Sequence, residues 1–243
     1  MLRLFKADLH LHTCLSPCTE LDMSPKKILA AAKREELDII AICDHNSTEN
    51  SLAVMKAARN SNIRVIPGME VTSKEEVHVL ALFNDINHAH KLQEQVYRNL
   101  PGENDGEAFG MQVILNEKEE VLGFNDKLLI GATTIPLEEV IRLIHSYEGI
   151  AIASHIDREA FSLIGQLGFV PENIALDALE ISPKISYEAA KTKYPPNYPI
   201  TSSSDAHYPE NIGKSYTSFW LEEGTVTEIK KALNNIDGRK VIH

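Results

Sequence analysis

Short apolar runs alternate with amphipathic stretches along most of the chain, and most of the apolar runs end in polar residues. The first run, about residues 4 to 11, leads into a loop, CLSPCTELDMSP, with two prolines and two cysteines. Ser24-Pro25 reads as a helix N-cap and first helical residue. Ile28, Leu29, Ala32 and Leu37 recur at three- and four-residue spacing, which predicts an amphipathic helix over residues 25 to 36. Residues 37 to 42 are almost continuously apolar, as expected of a strand covered on both faces, and end in Cys43-Asp44-His45-Asn46. A helix over about 49 to 60 follows, then a strand over 63 to 66 running into Gly68-Met69-Glu70, then a strand over 76 to 83.

Residues 84 to 135 break this rhythm. A helix over about 86 to 99 precedes the loop PGENDGEAFG and two alternating segments, near 111 to 124 and 127 to 133, with a hairpin expected around Asn125-Asp126. The stretch is too short to bury a core of its own, so it reads as an insertion or lid on a single domain spanning 1–243. Beyond it the alternation resumes with a helix to Tyr147, stopped at Gly149, and a strand over 150 to 153 ending in Ser154-His155. A helix over about 159 to 167, a strand over 178 to 181, the stretch 187 to 193 and a Pro-rich loop, YPPNYP, come next. A strand over 200 to 204 ends in Asp205-Ala206-His207, and the segment Thr217-Ser218-Phe219-Trp220, a helix over about 225 to 234 and a tail close the chain. Strands alternating with helices predict a parallel sheet. Six or seven of them with chemistry at their tips predict a closed or nearly closed α/β barrel, active at its C-terminal face.

In an extended strand, side chains two apart share a face, so His10 and His12 of DLHLHT point the same way. Two imidazoles there can chelate one divalent metal, with Asp8 on the same face as a buttress or further ligand. A lone pair of this kind also occurs as a solvated strand end. Here the design recurs, in CDH at 43 to 45, GME at 68 to 70, SH at 154 to 155 and SDAH at 204 to 207. Six of the ten histidines (His10, His12, His45, His78, His155, His207) fall at strand tips or within short strands. Burying that many imidazoles without metal or partners costs roughly a few kcal/mol each. One zinc takes three or four protein ligands, so this many candidates point to two or three ions sharing bridging carboxylates.

Bulk properties narrow the picture. Hydrophobic residues make up 43% of the 243, enough for a substantial core. The formal net charge of −11 speaks against a basic nucleic-acid surface. No basic groove interleaved with aromatics is visible either, which counts against long nucleic acid as a partner and leaves short oligonucleotides open. Bound metal would neutralise several of the carboxylates and soften repulsion of an anionic substrate. Cys14, Cys18 and Cys43 are an odd number lying beside the histidine motifs, a pattern that suits a reducing compartment. The N-terminus shows no run of signal-peptide length, and no stretch approaches the ~18 apolar residues of a membrane span. The expectation is a soluble, cytoplasmic protein with no membrane partner. Nothing in the sequence speaks to oligomeric state.

DLHLHT, CDH, the GME strand, HVLALF, ASH and SDAH, in this order, resemble the PHP family, named for its polymerase and histidinol phosphatase members. The resemblance covers residues 5 to about 220, apart from 84 to 135. It implies a distorted (β/α)7 TIM-like barrel, here with an inserted segment between strands 4 and 5, a two- or three-metal site, and phosphoester hydrolysis. By that resemblance the first metal would be held by His10, His12, Glu70 and Asp205. The second would share Glu70 and add His78 and His155. The third would take His45 and His207 with a residue from the loop after the HxH pair. Relatives often place His or Asp in that loop, whereas this chain offers Cys18, Glu20 and Asp22, of which Cys18 is the choice. Cys14 and Cys43 are read as structural. Donors of this kind accept zinc first, with manganese or iron as substitutes.

Such a cluster suits phosphoester hydrolysis because metals acidify a water to hydroxide and offset charge on the phosphoryl oxygens. Asp44, Asp205 and His207 are candidates for orienting that water or passing a proton to the leaving alkoxide. Arg158, three residues after His155, and Lys214, after the SDAH tip, are candidates for holding a phosphate remote from the cleaved one. The expected function is a metal-dependent phosphatase or phosphodiesterase acting on a small phosphorylated metabolite or nucleotide. The alternatives are a short-oligonucleotide exonuclease and a non-catalytic metal-binding module. Hydrolysis of C–N bonds is disfavoured, because no lysine sits at a strand tip to bridge the metals.

Overall fold

The computed structural model describes residues 1–242. The chain opens with β1 (Arg3–Leu11), α1 (Pro25–Arg34), β2 (Ile39–Ile42), α2 (Ser51–Ala57), β3 (Arg64–Thr72) and β4 (His78–Leu82). Then come α3 (Ile86–Arg98), the short strands β5 (Val113–Leu115) and β6 (Val121–Phe124), α4 (Leu137–Ser146) and β7 (Ile150–Ala153). The rest comprises α5 (Leu163–Leu167), β8 (Ala178–Ile181), α6 (Tyr187–Lys193), β9 (Ile200–Ser202), β10 (Thr217–Leu221), α7 (Val226–Leu233) and β11 (Lys240–Ile242).

Nine strands form one sheet in the order β11-β10-β1-β2-β3-β4-β7-β8-β9. The sheet curls until its far end meets β1. Leu11 bridges Ala206, just beyond β9, and the amides of His12 and Ala206 donate to the carbonyls of Ala206 and His10 at 3.1 and 3.2 Å. The lower part of β1 pairs instead with β10, from Arg3 opposite Leu221 to Ala7 opposite Thr217. The result is a nearly closed mixed α/β barrel, as the sequence pattern predicts. A strict (β/α)7 alternation does not hold. β4 follows β3 through a tight turn with no helix between them, and it runs antiparallel to both β3 and β7.

Period-two alternation sorts the apolar residues between two faces. Ile39 and Ala41 of β2, Leu80 and Leu82 of β4, and Ile150 and Ile152 of β7 meet Leu9, Ala178 and Phe219 in one cluster. Their neighbours Ile40 and Ile42 pack instead on Ile28 and Ala31 of α1. Val79, Ala81, Ala151 and Ala153 pack on α3 and α4 through Leu92, Val96, Val140 and Ile144. Burial on both faces explains why these strands read as continuous apolar runs.

Residues 84 to 135 differ from expectation in detail. The hairpin is β5–β6, turning over Asn116–Glu120, whereas Asn125-Asp126 lies after it and residues 127 to 133 form no strand. α3 joins the main core, while Val113 and Leu115 cover Cys14, and Leu100 and Leu129 cover Leu15. The segment therefore folds against the loop that follows β1. Glu119 shows the tie: its carboxylate accepts from Ser24 Oγ at 2.6 Å and from Lys26 N at 3.0 Å, capping α1 from outside. Two smaller differences are that α5 begins only at Leu163 and that the tail forms β11. No helix among the described residues is long and apolar enough to cross a membrane.

Gly68 sets how closely β3 and β4 approach just before Glu70. A Cβ there would lie 2.8 Å from Leu82 Cδ2, 2.9 Å from the Ala81 carbonyl oxygen and 3.0 Å from Cys43 Sγ. Gly68→Ala is expected to destabilise the fold by about 1–3 kcal/mol, as overpacking does, read from the midpoint of urea unfolding.

Candidate metal centre

Glu70 is the hub. Its carboxylate is 1% exposed. Backbone bonds from Glu70 N to the Asp44 carbonyl (3.1 Å) and from Asn46 N to the Glu70 carbonyl (2.9 Å) extend the β2–β3 pairing to this point. Oε1 lies 3.0 Å from His78 Nδ1, 3.2 Å from His155 Nε2 and 3.4 Å from His10 Nε2. Oε2 lies 3.0 Å from His45 Nδ1 and 3.6 Å from His12 Nε2. Burial alone would raise the acid's pKa, but the surrounding imidazoles, His78 and His10 foremost, hold it well below the usual carboxylate range.

A second focus adjoins it. His10 Nε2, His12 Nε2 and Asp205 Oδ1 form a triangle with sides of 3.2, 3.1 and 3.3 Å. Tetrahedral ligands on metal bonds of about 2.0–2.2 Å stand roughly 3.3–3.6 Å apart, so the triangle has the size of one coordination face. The far side of each ring fixes which nitrogen is free. His10 Nδ1 donates to Glu180 Oε1 at 3.1 Å, His12 Nδ1 to Ser16 Oγ at 2.9 Å, and His207 Nδ1 to the Asp205 carbonyl at 2.8 Å. In its neutral form each ring then presents a bare Nε2 inward, the tautomer that a metal ligand needs. Lone pairs facing one another across a buried site repel, and a cation between them removes that conflict. The donor set therefore fits divalent metal ions.

The third focus contains the unusual donor. Ligand atoms of His12, Cys18, His45 and His207 all lie within 4.8 Å of one another. Burial resists ionisation of Cys18, yet His207 and His45 draw its pKa down to about 7. Cys14 is pushed up to about 12 and Cys43 well above its ordinary value, both mainly by burial. Glu20 is exposed, and Asp22 is an exposed partner of Lys27. The cavity above these groups measures about 680 Å³ and is lined by Cys18, His45, Glu70, His78, His155, Asp205 and His207, with Ile130, Arg158, Phe161 and Lys184 among its walls.

A PHP domain model matches residues 8–167, and a PHP-associated model matches 189–236. The chain belongs to the PHP family. The fold of this PHP chain is similar to the lesion-specific endonuclease Q of Pyrococcus furiosus, with a TM-score of 0.73 and 19% identity, over 98% of this chain and 58% of that one. It is likewise similar to an Endonuclease Q complexed with a 27-mer duplex carrying an abasic lesion at the active site, with a TM-score of 0.70, 21% identity, and 98% and 58% coverage. A two-domain Bacteroides vulgatus protein containing a predicted PHP-like metal-dependent phosphoesterase matches with a TM-score of 0.59 and 17% identity, over 99% of this chain and 65% of that one. The PHP chain thus spans less than two thirds of each neighbour's length, and at these identities the likeness is one of fold.

One expectation is overturned here. The acidic balance counted against long nucleic acid and favoured a small phosphorylated substrate, yet a protein of the same fold holds a 27-mer duplex at its active site. Net charge sums the whole surface and does not describe one cavity, whose walls here carry Arg158 and Lys184.

Several residues sit elsewhere than their sequence roles suggest. Asp44 is fully buried and accepts from Thr13 N (2.6 Å), Thr13 Oγ1 (2.7 Å) and Ser16 Oγ (2.7 Å). It does not line the cavity, so it anchors the Ser16 that orients His12 and has no place in handling water or a proton. Asp8 buttresses no histidine; it accepts from Ser204 N at 3.0 Å and Gly213 N at 2.9 Å, holding the loop beyond β9. Lys214 is exposed near Glu35 and does not line the cavity, so it is no phosphate ligand there. Arg158 does line it, with Nη1 2.6 Å from Asp205 Oδ2 and Nε unpartnered. Sequence reading missed Glu180, whose Oε1 also accepts from His155 N at 3.2 Å. One charged residue in the apolar run ALEI was the available signal.

Two outcomes are expected. Burial opposes a charge on His10, but Glu180, Asp205 and Glu70 raise its pKa well above the ordinary value; His45 is raised in the same way, against burial, by Cys18 and Glu70. The metal-free centre therefore carries protons that a metal must displace. Zinc titration calorimetry in buffers of different ionisation heat is expected to show proton release, with affinity falling from about pH 8 to about pH 6 as protons compete for the raised imidazoles. Glu180→Gln is expected to weaken metal binding by roughly 10-fold, measured against a competing chelator, with the unfolding midpoint of the metal-free protein little changed.

Proposed function

We propose that this PHP chain is a metal-dependent phosphodiesterase that cuts nucleic-acid strands. The observation that carries the reading is the cavity itself, with a floor of buried imidazoles and carboxylates and a wall bearing Arg158, Lys184 and an exposed aromatic ring. Floor and wall together suit a phosphodiester flanked by planar bases. The fold's likeness to an endonuclease seen with duplex DNA supports the same choice.

His10, His12, Glu70 and Asp205 would hold one ion, Glu70, His78 and His155 a second, and Cys18, His45 and His207 a third. Zinc is the best match to so many imidazoles and a thiol, with manganese or iron as substitutes. Bound there, the metals supply an acidified water and positive charge for the phosphoryl oxygens. Glu70 would be shared between the first two ions, Glu180 and Ser16 fix ring tautomers, and Asp205 presents one oxygen to the floor and the other to Arg158. Arg158, about a third exposed on the cavity wall, would meet a phosphate next to the cleaved one. If only the first two ions bind, His207, partly exposed at the cavity edge, would have Nε2 available to pass a proton to the leaving oxygen. Residues 84 to 135 roof the site through Ile130, as an insertion within one domain spanning 1–243. The three free cysteines fit a cytoplasmic setting.

The test incubates the metal-loaded chain with single-stranded and duplex DNA, each with and without an abasic position. Strand cleavage that stops on chelation and in His155→Ala is expected. Stoichiometric metal without cleavage of any phosphodiester would instead make the chain a non-catalytic module. Arg158→Ala is expected to raise KM by about 10-fold or more, as loss of a charge-assisted contact does.

A further inference from the structure

The loop after β7 carries a feature that metal binding does not use. Phe161 lines the cavity and is 40% exposed, although it is one of the largest apolar side chains. Its φ is +58°, the left-handed region that bulky residues rarely occupy. The surroundings hold it there. Its carbonyl accepts from His78 N at 2.9 Å, and its ring lies nearly parallel to the His78 ring, with centroids 4.8 Å apart and an angle of 17°. Asp157 ties the loop to β8 by accepting from Ser182 N and Oγ at 2.7 and 2.6 Å, and Ser162 Oγ donates to the Arg158 carbonyl at 2.6 Å. Gly165 lets α5 press against the loop, since a Cβ there would stand 2.2 Å from the Glu159 carbonyl oxygen.

A ring that served only to exclude water from His78 would gain by being covered. Here one face of Phe161 packs on a candidate metal ligand and the ring stays partly open to the cavity. Backbone strain of this kind is kept where the surrounding structure over-determines it, typically at ligand clamps. Arg158, three residues away in the same rigid loop, stands beside it as a phosphate donor. A flat apolar face and a cation lining the same cavity suit a base attached to a phosphate.

We infer that Phe161 is a stacking platform for the nucleobase next to the cleaved phosphodiester. This rests on the nucleic-acid reading above and names which part of the strand the cavity wall grips. Stacking tolerates any base, because each has a π-face, so the platform gives grip without reading sequence.

The experiment uses the metal-loaded protein and a phosphorothioate DNA ten-mer carrying 2-aminopurine, whose fluorescence is quenched by stacking. Quenching is expected in the wild type and in Phe161→Tyr. In Phe161→Leu the quenching should be lost and Kd should rise roughly 10-fold, with unchanged metal content. With cleavable DNA, the loss in Phe161→Leu should fall on KM more than on kcat. A second readout needs no variant: irradiating a complex with 5-iodouracil DNA should place the cross-link on Phe161. Equal quenching and affinity in Phe161→Leu, or cross-links that avoid Phe161 while the wild type still cleaves DNA, would overturn the platform and leave the nuclease reading standing. A wild type that neither binds nor cuts DNA would overturn both.

Discussion

Everything at the open end of this barrel depends on one buried carboxylate. Glu70 has left water almost completely, and an ionised acid pays heavily for that unless charge or hydrogen-bond donors replace the solvent. Here five imidazole nitrogens lie within 3.6 Å of its two oxygens. They come from β1, the β2 tip, β4 and the β7 tip, so a single side chain ties together segments far apart in sequence. The register of β3 is fixed as a result. A slip by one residue would turn Glu70 to the opposite face of the sheet and leave the imidazoles facing one another.

Bringing those groups together requires irregular backbone. The pairing of β1 with β2 shifts register between Asp8 and Leu11, a distortion of the kind that re-aims side chains next to active sites, and His10 lies within it. Asn46, His155 and Asp205, all at strand tips here, have φ values of +50°, +29° and +49°. Each such residue costs on the order of 1–3 kcal/mol. The neighbouring bonds show what holds them: Asn46 Oδ1 accepts from Thr72 N, Glu180 from His155 N, and Asp8 from Ser204 N beside Asp205. Buried acids that were first read as catalytic or as histidine supports are thus backbone anchors. The precision of the centre comes from them.

How much of this was legible in the sequence depended on periodicity. The strands at 150 to 153 and 178 to 181 and the barrel they help to form follow from continuous apolar runs with polar ends. The histidines of CDH, ASH and SDAH and Glu70 of GME line one cavity, and those of DLHLHT lie against Glu70 and Asp205 beneath it. What was hidden depends on direction within a buried face. Nothing in ALEI says that Glu180 points at His10, because a strand covered on both sides gives no alternation to read. Asp44 and Asp8 looked like their neighbours in the motifs, and only the fold shows that their oxygens are spent on amides and hydroxyls. Phe161 was invisible because its meaning lies in a backbone conformation.

Charge misled for a related reason. A sum of −11 over the chain is a property of the whole surface, while the field a strand meets is set by a few groups in the cavity. Asp205 shows the local arithmetic. One of its oxygens faces His10 and His12, and the other holds Arg158 at 2.6 Å. A cation seated on the histidine side competes with the guanidinium for the same negative charge, so each ion bound at the floor loosens the hold on Arg158. Under the reading proposed for this site, the guanidinium would then be freer to meet a phosphate, and the acidic side chains would set the position of the positive group that meets it.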